Sequence, residues 1–215
     1  TILSNEGEQA CPFWDAPFRE ELNQGSSFQF TAQGDHPDSK HLKAENQVAF
    51  KDKDGDFRLF VIKEPERMDS EEGPIITCVC EPAMLELNDD MVYDENNAKE
   101  IYELAPKNVT LKTVVTRILK HTRWKVGEVA ELGLNTTHFF YLNATEALMK
   151  AINTWGGEFR DRVTVEGSTI TGRYIDILPR RGADTGKRWE MDKDILSIRH
   201  QIQSYPKTAL IGRGA

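Results

Sequence analysis

The chain has 215 residues, 39% hydrophobic and 29% charged, enough for one large folded domain or two modest ones and too apolar for wholesale disorder. Its formal net charge of −8 argues against a sequence-reading nucleic-acid partner, because phosphate contacts need clustered Lys and Arg. The longest purely apolar run of note, Leu59 to Ile62, falls far short of the roughly 20 residues of a membrane-spanning helix. No signal-peptide pattern is visible, and a start at Thr1 without methionine reads as a piece of something longer.

From Thr1 to about Pro82 the texture is β. Phe28-Gln29-Phe30 alternates, a polar loop follows from Gln33 to Lys40, and Asp52-Lys53-Asp54-Gly55-Asp56 joins two apolar strands, Val48–Phe50 and Phe57–Ile62. Asp-Gly between such strands is a hairpin signature. Ile75 to Cys80 reads as a further strand, which places Cys78 and Cys80 on one face. With Cys11 they make three cysteines and no disulfide framework. A buried, reduced pair is the expectation, consistent with assembly in a cytosol.

From Ala83 to Trp155 the period changes. Leu111, Val114, Val115, Ile118 and Leu119 form a helical stripe, with Thr110 as its cap and Pro106 closing the preceding segment. A short β segment, His138–Leu142, leads to a helix over Ala144–Thr154. Asn143 caps that helix, Glu146 sits where a capping-box acid reaches back, and Ala147, Leu148, Ala151, Ile152 and Trp155 form its apolar face. Gly156 and Gly157 end it. Phe159, Val163 and Val165 then alternate toward a turn at Glu166-Gly167-Ser168, and Thr169–Leu178 supplies the return strand. A basic cluster, Arg173 through Arg188, which also holds Asp176 and Asp184, reads as a solvated face or protein-contact patch. It is followed by Ile195, Ile198 and Ile202 at polar-alternating positions.

Candidate chemistry fails on inspection. Asp52, Asp54 and Asp56 suggest a calcium loop, but an EF-hand loop needs Gly at its sixth position and Glu at its twelfth, where this chain has Phe57 and Lys63. His36-x-Asp38-x-x-His41 has a zinc-compatible spacing on a polar loop, where solvated side chains are the default and a catalytic site still needs a supporting shell. Cys78 and Cys80 have no histidine nearby in sequence to act as base. Glu158 could serve as a general acid without an assignable partner, and its plainer role is to pair with Arg160 or Arg173, or to accept from backbone donors. No nucleophile elbow, zincin motif or phosphate-binding loop is present. The sequons at Asn108, Asn135 and Asn143 carry no weight without a secretory signal. The expectation is no catalytic, cofactor or metal residue in this chain.

Several motifs taken in order carry a resemblance. They are Ala10-Cys11-Pro12-Phe13-Trp14-Asp15, Glu21-Leu22-Asn23, Val48-Ala49-Phe50-Lys51-Asp52 and Phe57-Arg58-Leu59-Phe60. Ile118-Leu119-Lys120-His121-Thr122-Arg123-Trp124-Lys125-Val126-Gly127 and Trp155-Gly156-Gly157-Glu158 follow, then Arg181 through Arg188 and Thr208-Ala209-Leu210-Ile211-Gly212-Arg213-Gly214. The ordered set resembles the phage tail-spike, or prophage endopeptidase tail, family; Met191-Asp192 departs from it, since relatives usually place a glycine there.

The resemblance implies an α+β chain. Residues 1–82 would form a β-barrel-like hub domain, with relatives carrying one more strand ahead of Thr1. Residues 83–180 would form an α+β domain whose two helices pack on the Phe159–Leu178 hairpin, and 181–215 the start of a second, incomplete barrel. The implied role is a structural tail-tip hub, like the baseplate hub of contractile-tailed phages. Such a hub is a homotrimeric ring closing the tail tube, in contact with the distal tail protein and the tape-measure protein. It is assembled in the host cytoplasm and anchors cell-wall-degrading or receptor-binding parts downstream. The alternative it implies is a tail-associated endopeptidase or peptidoglycan hydrolase.

Overall fold

A computed structural model of the chain describes residues 3–6, 10–71, 73–182, 186–188, 190, 191, 193 and 197. Residues 1–181 form one compact unit and 182–215 another. Described features of the second unit include Gly182 and Gly186 at left-handed φ (77° and 66°) and an ion pair between Lys193 and Glu190 at 3.7 Å. The expected second barrel over 181–215, with Ile195, Ile198, Ile202 and Thr208–Gly214, lies almost entirely outside the described residues.

In the first unit the strands run β1 (Phe13–Trp14), β2 (Phe18–Glu20), β3 (Ser26–Gln33), β4 (Gln47–Lys51), β5 (Phe57–Ser70) and β6 (Gly73–Pro82). Short strands β7 (Glu103–Leu104) and β8 (Val109–Thr110) lead into helix α1 (Leu111–Ile118). Then come β9 (Lys125–Val129), β10 (Leu134–Asn135), β11 (Phe139–Phe140), helix α2 (Ala144–Trp155), β12 (Glu158–Glu166) and β13 (Thr169–Leu178). Short 3-10 turns occupy Pro37–His41 and Ala83–Asn88.

One sheet carries nine of these strands. Both β1 and β2 pair with β3, β3 with β6, β6 with β5, and β4 with β5. Phe60 of β5 has Val48 of β4 on one side and Pro82 of β6 on the other, whereas Phe57 has Lys51 on one side and Val163 of β12 on the other. Strands β6 and β12 therefore share one edge of the long β5, end to end. From β12 the sheet continues antiparallel to β13 and then parallel to β9.

The N-terminal sheet curls without closing. Among the described residues no ladder joins β2 to β4, so the expected barrel is an open, curled sheet. Its seam is closed by side chains instead. Phe18 of β2 meets Phe50 of β4 edge-on at 5.4 Å; Phe18 also meets Phe60 at 5.9 Å, and Phe50 meets Phe28 at 4.5 Å and Phe60 at 5.7 Å. Rings fill a space that a closing ladder would narrow, and edge-to-face geometry suits them.

Two cores result, and β5 serves both because alternate side chains of a strand point to opposite faces. Phe60 and Ile62 join Phe28, Phe30, Cys78 and Cys80 in the curled sheet. Phe57, Leu59 and Val61 face the other core, made with α1, α2 and the β12–β13 hairpin. Beyond an irregularity at Ile62/Glu64, residues 63–69 of β5 are exposed.

The helices form for the reasons the sequence shows. The Asn143 side chain accepts from the Glu146 N–H while Glu146 accepts from the Asn143 N–H, closing both halves of a capping box. Thr110 accepts from the Thr113 N–H ahead of α1. The faces predicted from periodicity are buried: Leu111, Val114, Val115 and Ile118 on α1, and Ala147, Leu148, Ala151, Ile152 and Trp155 on α2. Helix α2 runs one residue further than its periodicity suggested, and the predicted strand at His138–Leu142 shrinks to Phe139–Phe140. After α2, Gly157 (φ 99°) cannot be replaced cheaply, since a Cβ there would sit 2.9 Å from the Ile177 side chain.

Candidate functional site

The sheet brings charged side chains from four stretches of chain into its interior. Arg58 of β5 is 1% exposed, and its Nη2 donates to Asp161 of β12 and lies 2.8 Å from Glu20 of β2. Asp52 stands 3.6 Å from Nη1, and the guanidinium lies 5.6 Å from the Phe18 ring centroid. Arg181 then clasps Glu20 with both terminal nitrogens at 2.8 Å, a bidentate pair. A second cluster centres on fully buried Asp176 of β13. It accepts from Arg160 Nη2 at 2.9 Å, from Arg162 Nε at 2.6 Å and from the Glu128 N–H at 2.8 Å. Arg160 also binds Asp56, so the β4–β5 turn is tied to the β12–β13 hairpin.

Backbone contacts reinforce this joint. The Asn23 side chain donates to the Gly157 carbonyl at 3.0 Å and accepts from the Phe159 N–H at 2.9 Å, reading the chain on both sides of Glu158. Asn23 adopts φ 54°, a left-handed conformation that Asn tolerates better than most residues. Glu158 accepts from the backbone N–H of Arg181. Gly127 lets β9 approach Asp176, because a Cβ at that position would collide with the Asp176 carboxylate.

Ionisation follows from these contacts. Burial resists ionisation of Asp176, but hydrogen bonds from Arg162, the Glu128 N–H and Arg160 hold its carboxyl below the usual range. Glu20 is likewise lowered: burial opposes the shift, while Arg181 and Arg58 together outweigh it. For Asp161 burial wins over the attraction of Arg58 and pushes the carboxyl up.

The residues singled out from sequence fall elsewhere or into supporting roles. Asp52 caps the hairpin turn, accepting from the Asp54 and Asp56 N–H groups. His36 caps the 3-10 turn through Nδ1, which accepts from the Asp38 N–H, while His41 lies at that turn's far end. Among the described residues no group of three or more His, Cys, Asp or Glu is arranged to hold a metal ion. Cys78 and Cys80 are buried in the curled core, where desolvation pushes their thiols up to about 11 and about 12. Thiols that stay protonated are poor nucleophiles. Glu158 does not pair with Arg160 or Arg173; its partner is the Arg181 backbone.

Arg58, Asp161 and Asp176 were missed by motif reading. A signal was present: Asp161 falls on the same alternating face as Phe159 and Val163, and Arg58 on that of Phe60 and Ile62. A charge in the apolar register of a strand implies a buried partner.

Fold and joint define a structural module, in which the ordered motifs serve to lock a curled sheet to a helix-covered hairpin. Residues 2–81 match the prophage endopeptidase tail N-terminal domain and residues 98–177 the prophage endopeptidase tail domain. The chain belongs to the prophage endopeptidase tail family and is a phage tail protein. Among solved structures, an E. coli component of the type VI secretion system aligns at 14% identity and TM-score 0.44, over 76% of this chain and 47% of its own; it is described as similar to T4 bacteriophage tail proteins. A tail protein from Neisseria meningitidis aligns at 12% identity and TM-score 0.44, over 76% and 44%. A prophage tail protein from Listeria monocytogenes aligns at 14% identity and TM-score 0.44, over 85% and 49%. The chain thus spans about half the length of these structures. The comparison with curated proteins finds no match.

Proposed function

We propose that this chain is the N-terminal region of a structural tail-tip hub. In that reading the full protein closes the tail tube as a homotrimeric ring, between the distal tail protein and the tape-measure protein. It also anchors cell-wall-degrading or receptor-binding parts further along the chain. The observation that carries the reading is the order of the two family domains, joined by the Arg58–Asp161 and Arg160–Asp56 ion pairs. A part that transmits load between neighbours benefits from such fixed geometry, and closed rotational symmetry reuses the same patches. In chain order, 1–82 is proposed as the curled hub domain, 83–180 as the α+β domain and 181–215 as the start of a second barrel. The acidic balance of −8 suits a lumen that lets DNA phosphates pass without sticking.

The alternative is a tail-associated endopeptidase or peptidoglycan hydrolase; in the hub reading the chain itself does not hydrolyse peptidoglycan. The reasons are the protonated, buried thiols of Cys78 and Cys80 and the capping duty of His36.

Immunogold electron microscopy of intact phage, with antibody against this chain, tests the placement. Gold confined to the tail tip is expected; unlabelled particles with signal only in the lysate would overturn it. Release of cell-wall fragments by the purified chain would overturn the non-enzymatic assignment.

A further inference from the structure

Away from the joint, a strip of aromatic rings lies on the surface of the helix-covered region. Residues 91–104 and 138–143 are knitted together by short backbone contacts. Phe139 pairs with Leu104, Phe140 with Glu103, and the Tyr141 N–H donates to the Tyr102 carbonyl at 3.1 Å. Phe139 points inward and is buried, so its neighbour Phe140 points out. Centroids follow at 6.4 Å from Tyr93 to Tyr102, 5.2 Å from Tyr102 to Tyr141 and 4.8 Å from Tyr141 to Phe140. Phe140 and Tyr141 are each 52% exposed, and Ile101 and Met91 are also exposed large hydrophobics.

The strip is rimmed by acid. Glu100 accepts from the Tyr141 hydroxyl and the Tyr102 N–H, and no cation among the described residues pairs with it. Glu103, also at the strip, is paired with His138 at 2.8 Å and accepts from Asn97, and the His138 ring stacks on Phe140 with centroids 6.1 Å apart. Both carboxylates border ring faces whose quadrupole is itself negative.

We propose that the Tyr93–Tyr102–Tyr141–Phe140 strip is a docking surface for an arginine- or lysine-bearing polypeptide segment of a partner protein. Charge complementarity selects that occupant. A guanidinium stacked on the exposed rings gains cation–π attraction and places its N–H groups toward Glu100. An acidic segment is repelled by Glu100, and a purely apolar one would cover Glu100 without supplying it a cation. Contiguous exposed aromatics are also the residue types that dominate protein interfaces.

The test uses this chain and a labelled short peptide of alternating arginine and glycine, read by fluorescence anisotropy. Saturable binding is expected, weakened about tenfold by Tyr141→Ala or Phe140→Ala and by Glu100→Gln. Melting temperatures should hardly move for Tyr141→Ala and Phe140→Ala, because these side chains are exposed, and the isosteric Glu100→Gln keeps an acceptor for the Tyr102 N–H. A control, Glu64→Gln with Glu66→Gln on the exposed part of β5, should leave binding unchanged. Equal losses from the control would reduce the effect to general attraction by an acidic protein and overturn the site. So would wild-type binding that Tyr141→Ala leaves intact. Self-association of the chain abolished by the same variants would give the face to a second copy and overturn the assignment to a partner protein. None of these readouts depends on where the protein sits in the virion.

Discussion

The curled N-terminal sheet and the helix-covered hairpin solve the same burial problem in different ways. In the first, rings from opposite edges of one sheet meet each other: Phe18, Phe28, Phe50 and Phe60 hold a seam that no ladder closes among the described residues. In the second, two capped helices cover one face of a hairpin, and burial is spread over aliphatic side chains such as Val114, Leu148 and Ile177. The regions are not independent, because β5 gives alternate side chains to each and Arg58 pairs across to β12. What the contrast teaches is that an open sheet keeps its shape when a neighbour fixes its edge, here through ion pairs that a closed barrel would not need.

The largest break in that comparison should come from Ile118→Asp. Ile118 is 3% exposed in the helix-covered core, and a buried, unpaired carboxylate costs several kcal/mol. Loss of the cooperative melt is expected in circular dichroism; a soluble variant with unchanged melting would mean that α1 does not supply this core.

Arg58→Ala should come next, at about 3–5 kcal/mol, because it leaves Asp161 buried without its cation. Arg58→Met paired with Asp161→Leu should recover much of the loss, since well-packed apolar pairs often match buried ion pairs. Failure of the double variant to recover would show that Glu20 and Asp52 depend on the charge as well.

Gly127→Ala should cost about 1–3 kcal/mol by forcing the Asp176 carboxylate off its two arginines. A melting temperature equal to wild type would show that β9 can shift outward freely.

Acid should loosen the joint with a defined sign. Glu20 and Asp176 have lowered carboxyls in the folded chain. Their stabilisation is therefore full above the ordinary carboxylate range, near about 4, and is lost as pH falls through the lowered values. Asp161, raised by burial, acts oppositely: its proton favours the folded chain in acid, and that contribution fades as pH rises through its raised value. Urea melts in acid should show a shallower pH slope for Asp176→Asn than for wild type.

The smallest effect concerns the thiols. Cys78 and Cys80 should resist alkylation at neutral pH until urea unfolds the chain, given their burial and raised pKa values. Rapid native labelling, followed by mass spectrometry, would show that the aromatic seam opens.

Local chemistry was legible in the sequence wherever one stretch of chain decided the outcome. The caps at Thr110 and Asn143, the stripes of α1 and α2, the Asp-Gly hairpin and the glycine stop after Trp155 depend on neighbours within a few residues. The spacing of side chains along 3.6-residue and 2-residue periods is enough to find them. The order of motifs likewise marked the family, and the structure gives those motifs a physical role. Glu21-Leu22-Asn23 supplies the side chain that grips the backbone beside Trp155-Gly156-Gly157-Glu158. Trp124 is buried and donates to Glu86, while Gly127 makes room for Asp176.

What only the tertiary structure decided is which charges meet. Arg58 and Asp161 stand 103 residues apart in sequence, and Arg181 and Glu20 stand 161 apart. No local period encodes such a meeting; it follows from β6 and β12 sharing one edge of β5. The sheet's failure to close was equally out of reach, because a strand pattern states which face is apolar but not which edge finds a partner. Sequence by itself marked the two helices, the long strands, their faces and the family, but not the short strands β1, β2 and β7–β10. The fold determined the joint, since ion pairing at a distance depends on strand order, and strand order is a property of the whole chain.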